Sequence, residues 1–114
     1  MNAEGADTRE DETAARCIDM VNFARANPRD RDQIESLLEW VIRADATTAA
    51  DAQACTAIAI GFVAAASELP IESVEGRSFL LRRSLVLMAK ATAALENLTG
   101  RPTAEFAGPV EVAH

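Results

Sequence analysis

The sequence predicts an all-α, single-domain bundle of four main helices, and three observations support that expectation. The stretch Ala54 to Ala66, ACTAIAIGFVAAA, has one polar residue in 13 and no proline. Wound as a helix it is apolar on every side, so it belongs inside protein as the central helix of the fold. Aromatic residues make up only 4% of the chain and Tyr is absent. A core made of Leu, Ile, Val and much Ala suits helices, because alanine has the best helix propensity and a poor strand propensity. Finally, Asn27-Pro28, Asp45-Ala-Thr-Thr, Leu69-Pro70 and Thr99-Gly100-Arg101-Pro102 break the chain into four segments of helical length.

The 114 residues have room for one core. The pattern divides them into an acidic tail over 1–7, a helical domain over 8–100 and an extended tail over 101–114. Both ends are expected to be mobile.

The first helix is expected from about Thr8 to Ala26. Asp7 or Thr8 can cap it, and Glu10, Asp11 and Glu12 suit its positive N-terminal end. Its inward stripe reads Ala14, Cys17, Ile18 and Val21, which turns Met20 and Phe23 outward. A second helix runs from about Pro28 or Arg29 to Ala44. Ile34, Leu37, Leu38, Val41 and Ile42 give it one apolar face, with Trp40 at its edge.

The third helix, about 47–69, is capped by Thr47 or Thr48, with Asp51 three residues beyond Thr48. Cys55, Ile58, Phe62 and Leu69 form a stripe of larger side chains. Ala50, Ala54, Ala57, Gly61 and Ala64 form a small one, suited to close packing, and Ile60 and Val63 lie on the third side. The Ala54–Ala66 stretch is shorter than the run of about 20 apolar residues that a bilayer requires, so no membrane partner is expected. The fourth helix runs from about Val74 or Arg77 to Leu98. Leu81, Leu85, Met88, Thr92 and Leu95 read as its inward face, widened by Leu80, Leu87, Ala91, Ala94 and Leu98.

Catalytic patterns are absent from the sequence. The one histidine is His114, which leaves no Ser-His-Asp or Cys-His arrangement. Cys17 and Cys55 have no metal spacing and no base nearby in sequence. They read as free thiols on apolar helix faces. Glu35 and Glu39 read as a solvated pair. There is no phosphate-binding glycine loop and no Glu-x-x-His pair. No enzyme activity, cofactor or metal is expected.

The net charge of −7 repels nucleic acid and anionic membranes and favours basic surfaces. Residues 1–12 hold five acids and one Arg, whereas residues 71–101 hold five bases and three acids. The acidic, polar start does not read as a secretory leader, so the cytoplasm is the expected location. Residues 66–83 have the cadence of a helix-turn-helix, with Arg77, Arg82 and Arg83 placed for phosphates. The first turns of that recognition helix would present Val74, Phe79 and Leu80, with Glu72 and Glu75 near the backbone. Bases are read by polar side chains, so a DNA-binding regulator is the second reading.

The first reading is a non-enzymatic protein-interaction module. Phe79, Arg83, Val86 and Lys90 follow one another 4, 3 and 4 residues apart and so share a helix side, opposite the predicted core. With Arg82, Trp40, Met20 and Phe23 they form the expected binding set, since aromatics among arginines typify binding hot spots. The concrete expectation is a homodimeric, acidic inhibitor or adaptor of bacterial or phage type that masks a target protein. Bacterial immunity proteins, phage inhibitors and secretion chaperones share that size and charge, but no motif links the chain to any of them.

Overall fold

Proline, glycine and side-chain caps set the helix limits. The structure, a computed structural model, describes residues 11–107. In this range lie α1 (Glu12–Ala26), α2 (Arg31–Arg43), α3 (Ala49–Ser67), α4 (Val74–Thr99) and the single turn α5 (Ala104–Ala107), with no strand among the described residues. The protein is all-α, as its composition predicts. The caps expected at Asp7 and Thr8 lie outside the described residues. Asp11 stands at the N-cap of α1 with φ 62°. Asp30 caps α2 by accepting from Gln33 N–H at 3.2 Å. At α3 the capping box read from Thr48 and Asp51 is complete: Thr48 Oγ1 accepts from Asp51 N–H at 3.0 Å, and Asp51 accepts from Thr48 N–H at 3.3 Å. Gly100, at φ 72°, closes α4 in the left-handed conformation that glycine adopts without strain. Beyond it, where an extended tail is expected, Arg101 pairs with Glu105 at 2.8 Å and stacks on Phe106, which holds the turn of α5.

α3 is central, with α1 on one side and α4 on the other, while α2 packs chiefly on α1. One core cluster joins Ala52, Cys55 and Ala59 of α3 to Leu87, Ala91 and Ala94 of α4. A second joins Cys17 and Met20 of α1 to Leu38 and Val41 of α2. Ile42, Ile58 and Phe62 touch both clusters. The arrangement is a slab rather than a closed bundle, with extents of 55 × 43 × 16 Å. Two helix layers with axes 10 Å apart already span about 15 Å between backbones.

The slab corrects the sequence-based wheels in three places. On α4, Leu81, Leu85, Met88 and Leu95 are exposed rather than core, and Leu85 is 63% open to solvent. Leu98, read as widening that face, is exposed too. The residues that meet α3 are Ser84 and, from the same widening set, Leu87, Ala91 and Ala94. Three of these four are small, and so are Ala52, Ala59 and Ala66 opposite, so the two backbones approach closely and leave no space for larger side chains. On α1, Met20 is buried between helices and Ile18 is 60% exposed, the reverse of the expected order. The phase of α1 is set at its start, where Thr13 Oγ1 donates to Asp45 O at 2.9 Å. On α3, the small stripe at Ala50, Ala57, Gly61 and Ala64 faces solvent, because α4 takes the other alanine row.

Candidate functional site

Capping geometry concentrates the buried polar chemistry at one corner. Asp51 is fully buried in the first turn of α3. Its Oδ1 accepts from Ala14 N–H at 2.8 Å, and its Oδ2 accepts from Thr47 N–H at 2.9 Å as well as from Thr48 N–H. Thr48 Oγ1 also donates to Asp11 Oδ1. One carboxylate thus serves the N-terminal turns of two helices, which are the ends that welcome negative charge. Its lone pairs are taken up by backbone donors, so the role of Asp51 is structural. No cluster of three or more metal-ligating side chains occurs among the described residues.

The two thiols are buried beside this corner. Cys17 Sγ lies 3.9 Å from Ala54 O. Burial, with smaller contributions from Cys55 and Asp51, pushes the Cys17 thiol up to about 11. Burial raises the Cys55 thiol as well, against a lowering by Lys90. Both stay protonated at neutral pH, and the thiolate is the reactive form of cysteine.

The binding set expected from the sequence is divided among several places. Arg83 stacks on Phe79 with Cζ 4.5 Å from the ring centroid, and it forms an ion pair with Glu35 of α2. Burial lowers the proton affinity of Arg83. Lys90 Nζ donates to Ala44 O at the end of α2. The stripe therefore fastens α4 to α2, leaving Phe79 and Val86 partly open, and Arg82 lies exposed. Trp40 belongs to a separate edge, where Arg16 stacks on it at 4.6 Å and also binds Glu12 at 2.6 Å. Phe23 is half-buried, and Met20 is in the core. Arg77 donates to Pro70 O at 2.8 Å.

Two apolar surfaces that the wheels assigned to the interior are open instead. One is a groove of about 520 Å³ between α1 and α3, lined by Ile18, Val21, Ala54, Ala57 and Ile58 and edged by Arg25. The other is the outer face of α3 and α4, with Ile60, Val63, Leu81, Leu85, Met88 and Leu95. Ile60, Thr56 and Leu95 line a common hollow there. Asp51 is the only charged residue in α3 and is buried, so the exposed side of this 19-residue helix is uncharged. By length and composition alone α3 is long and apolar enough to cross a membrane, unlike the shorter Ala54–Ala66 stretch within it. The signal that locates the second surface is the row Ser84, Ala91 and Ala94, whose small side chains mark the close contact and leave the leucine row outside.

Comparison of the chain with protein-family models, with curated proteins and with solved structures finds no match in any of the three.

Proposed function

We propose that this chain is a non-enzymatic protein-binding module, a small acidic inhibitor or adaptor of bacterial or phage type that covers a surface of a target protein. The observation behind this reading is that apolar side chains lie open in two adjoining hollows, which meet at Gln53 and Ala57 of α3, on a slab 16 Å thick. Extended apolar patches with charged rims are characteristic of binding sites. The groove between α1 and α3 is the target site. It offers an aliphatic floor at Ala54, Ala57 and Ile58 and a cation at Arg25 on its rim. Such a groove accepts the apolar face of a helix. The net charge of −7 steers the chain toward basic targets.

Affinity capture from the lysate of the source cell, with the wild-type chain and with Ile18→Glu, tests this reading. Ile18 is 60% exposed, so the variant keeps its helical circular dichroism. A protein retained by the wild type and lost by Ile18→Glu is the expected result. Identical capture by both chains removes the groove as the site, and specific capture by neither removes the function.

A further inference from the structure

The outer face of α4 has a periodicity different from its contact with α3. Val74, Ser78, Leu81, Leu85, Met88, Thr92 and Leu95 follow one another at alternating steps of four and three residues. That is the 3.5-residue repeat by which one helix winds along another. The repeat is not used within the chain: α3 packs on Ser84, Leu87, Ala91 and Ala94, while Leu81, Leu85, Met88 and Leu95 remain exposed.

We propose that a second copy of this chain covers the outer face, with the two α4 helices antiparallel about a two-fold axis beside Ala89. This deepens the protein-binding reading, on which it rests, by naming the partner of one surface and leaving to the target the α1 side of the adjoining groove, at Ile18 and Val21. Three features select a second copy in this arrangement.

The first is occupancy. A parallel pair would place the row Arg82, Ala89 and Glu96 against the partner's Ser84 and Ala91, which are already buried under α3. An antiparallel pair brings like rows together and keeps both α3 helices on one side. Thr56 and Ile60 then meet the partner's α3, and four helices close into a bundle.

The second is charge. Arg82, Ala89 and Glu96 stand seven residues apart on the rim of the seam, and all are exposed. With Leu85 opposite the partner's Leu95 and Met88 opposite the partner's Thr92, Arg82 falls opposite the partner's Glu96. The two-fold axis repeats that pair, and Ala89 meets its own copy. Sliding one heptad would set Glu75 against the partner's Glu96, so like charges oppose that register. Glu96 Oε2 accepts from Thr103 N–H at 2.6 Å, which orients the carboxylate on the rim.

The third is size. α3 and α4 present a face roughly 30 Å by 20 Å, on the order of 600 Å² per copy. That is close to the roughly 800 Å² per partner of a standard interface.

The test is disulfide trapping on the full chain, with sedimentation of the uncrosslinked protein. Ala89→Cys places a thiol on the proposed axis, whereas Ala93→Cys places one at an exposed site facing away from the seam. The native thiols are buried and protonated, so they stay silent under mild oxidation. The expected results are a dimer mass at micromolar concentration, rapid trapping through Ala89→Cys and little through Ala93→Cys. Leu85→Glu gives a helical monomer. Arg82→Glu weakens the dimer by about tenfold, the effect of two exposed ion pairs, and adding Glu96→Arg restores it.

A monomer mass for the wild type overturns the proposal, and so does equal trapping at positions 89 and 93. Flotation of the chain with phosphatidylcholine vesicles in place of self-association also overturns it, because lipid would then cover the face. A dimer that captures no target through the Ile18 groove keeps this inference and removes the proposed function. A monomer that still captures one does the reverse.

Discussion

At the corner where α1 meets the loop before α3, Asp51 accepts three backbone N–H groups, while Thr13 and Thr48 each donate to a partner from another segment. No buried side-chain polar atom lacks a partner among the described residues. Across the slab, on the outer face of α3 and α4, six large apolar side chains are open to water. The corner is finished within one chain and the face is not. The difference shows two ways of using helix surface in a thin fold. Polar atoms must be paired locally, since an unmade buried hydrogen bond costs about 1–3 kcal/mol. Apolar side chains tolerate water singly, and a whole row of them stores a driving force for association.

Asp51→Ala is the strongest way to break that comparison. It leaves three part-buried N–H groups without their acceptor and unties α1 from α3, so a loss of about 2–4 kcal/mol is expected in urea unfolding. A loss below about 1 kcal/mol would mean that the corner is not what holds α1.

A narrower test uses two leucines on the same helix. Leu87 is fully buried against α3, and Leu85 is 63% exposed. Leu87→Ala should cost about 3 kcal/mol, and Leu85→Ala less than about 0.5 kcal/mol when unfolding is followed by Trp40 fluorescence at high dilution. Equal losses would place the seam inside the monomer.

The smallest expected effect is bounded by pH. Burial raises the Cys17 thiol from 9.0 to about 11, so the folded chain keeps a proton that the unfolded chain releases first. The stability gained is fully present below about pH 9 and lost as pH rises toward about 11. The wild type should therefore lose more melting temperature than Cys17→Ala between those limits, with Cys55 acting in the same direction in both proteins. Parallel melting curves would show that Cys17 is wet.

The parts legible in the sequence are those where one local pattern allows one answer. α2 has a single apolar face, and Leu38 and Val41 on it are buried as read. Thr48 and Asp51 form the capping box their spacing implies, and Gly100 ends α4. α3 is apolar on all sides and therefore has no phase to read. α4 offers both a leucine row and a small row, and weighting by hydrophobicity selects the wrong one. The choice belongs to α3, whose Ala52, Ala59 and Ala66 reward close approach.

The bond from Ala14 N–H to Asp51 spans 37 positions and leaves no periodic trace. Together with the Thr13 bond to Asp45 O, it turns α1 so that Met20 goes in and Ile18 comes out. In the candidate site, the Phe79–Arg83 stack follows from i, i+4 spacing, whereas the pairing of Arg83 with Glu35 depends on the placement of α2.

The 16 Å thickness also governs how the protein opens. In a thick globule, backbone amides exchange their hydrogens according to depth. Here each helix has a side at or near water, so depth differs little and protection follows how many neighbours must leave together. α2 is held chiefly by α1 and by the two cations reaching across from α4, so it can detach while the alanine contact of α3 and α4 stays closed. The slab opens from one edge inward, and its last cooperative unit is the α3–α4 hairpin that bears the uncovered seam.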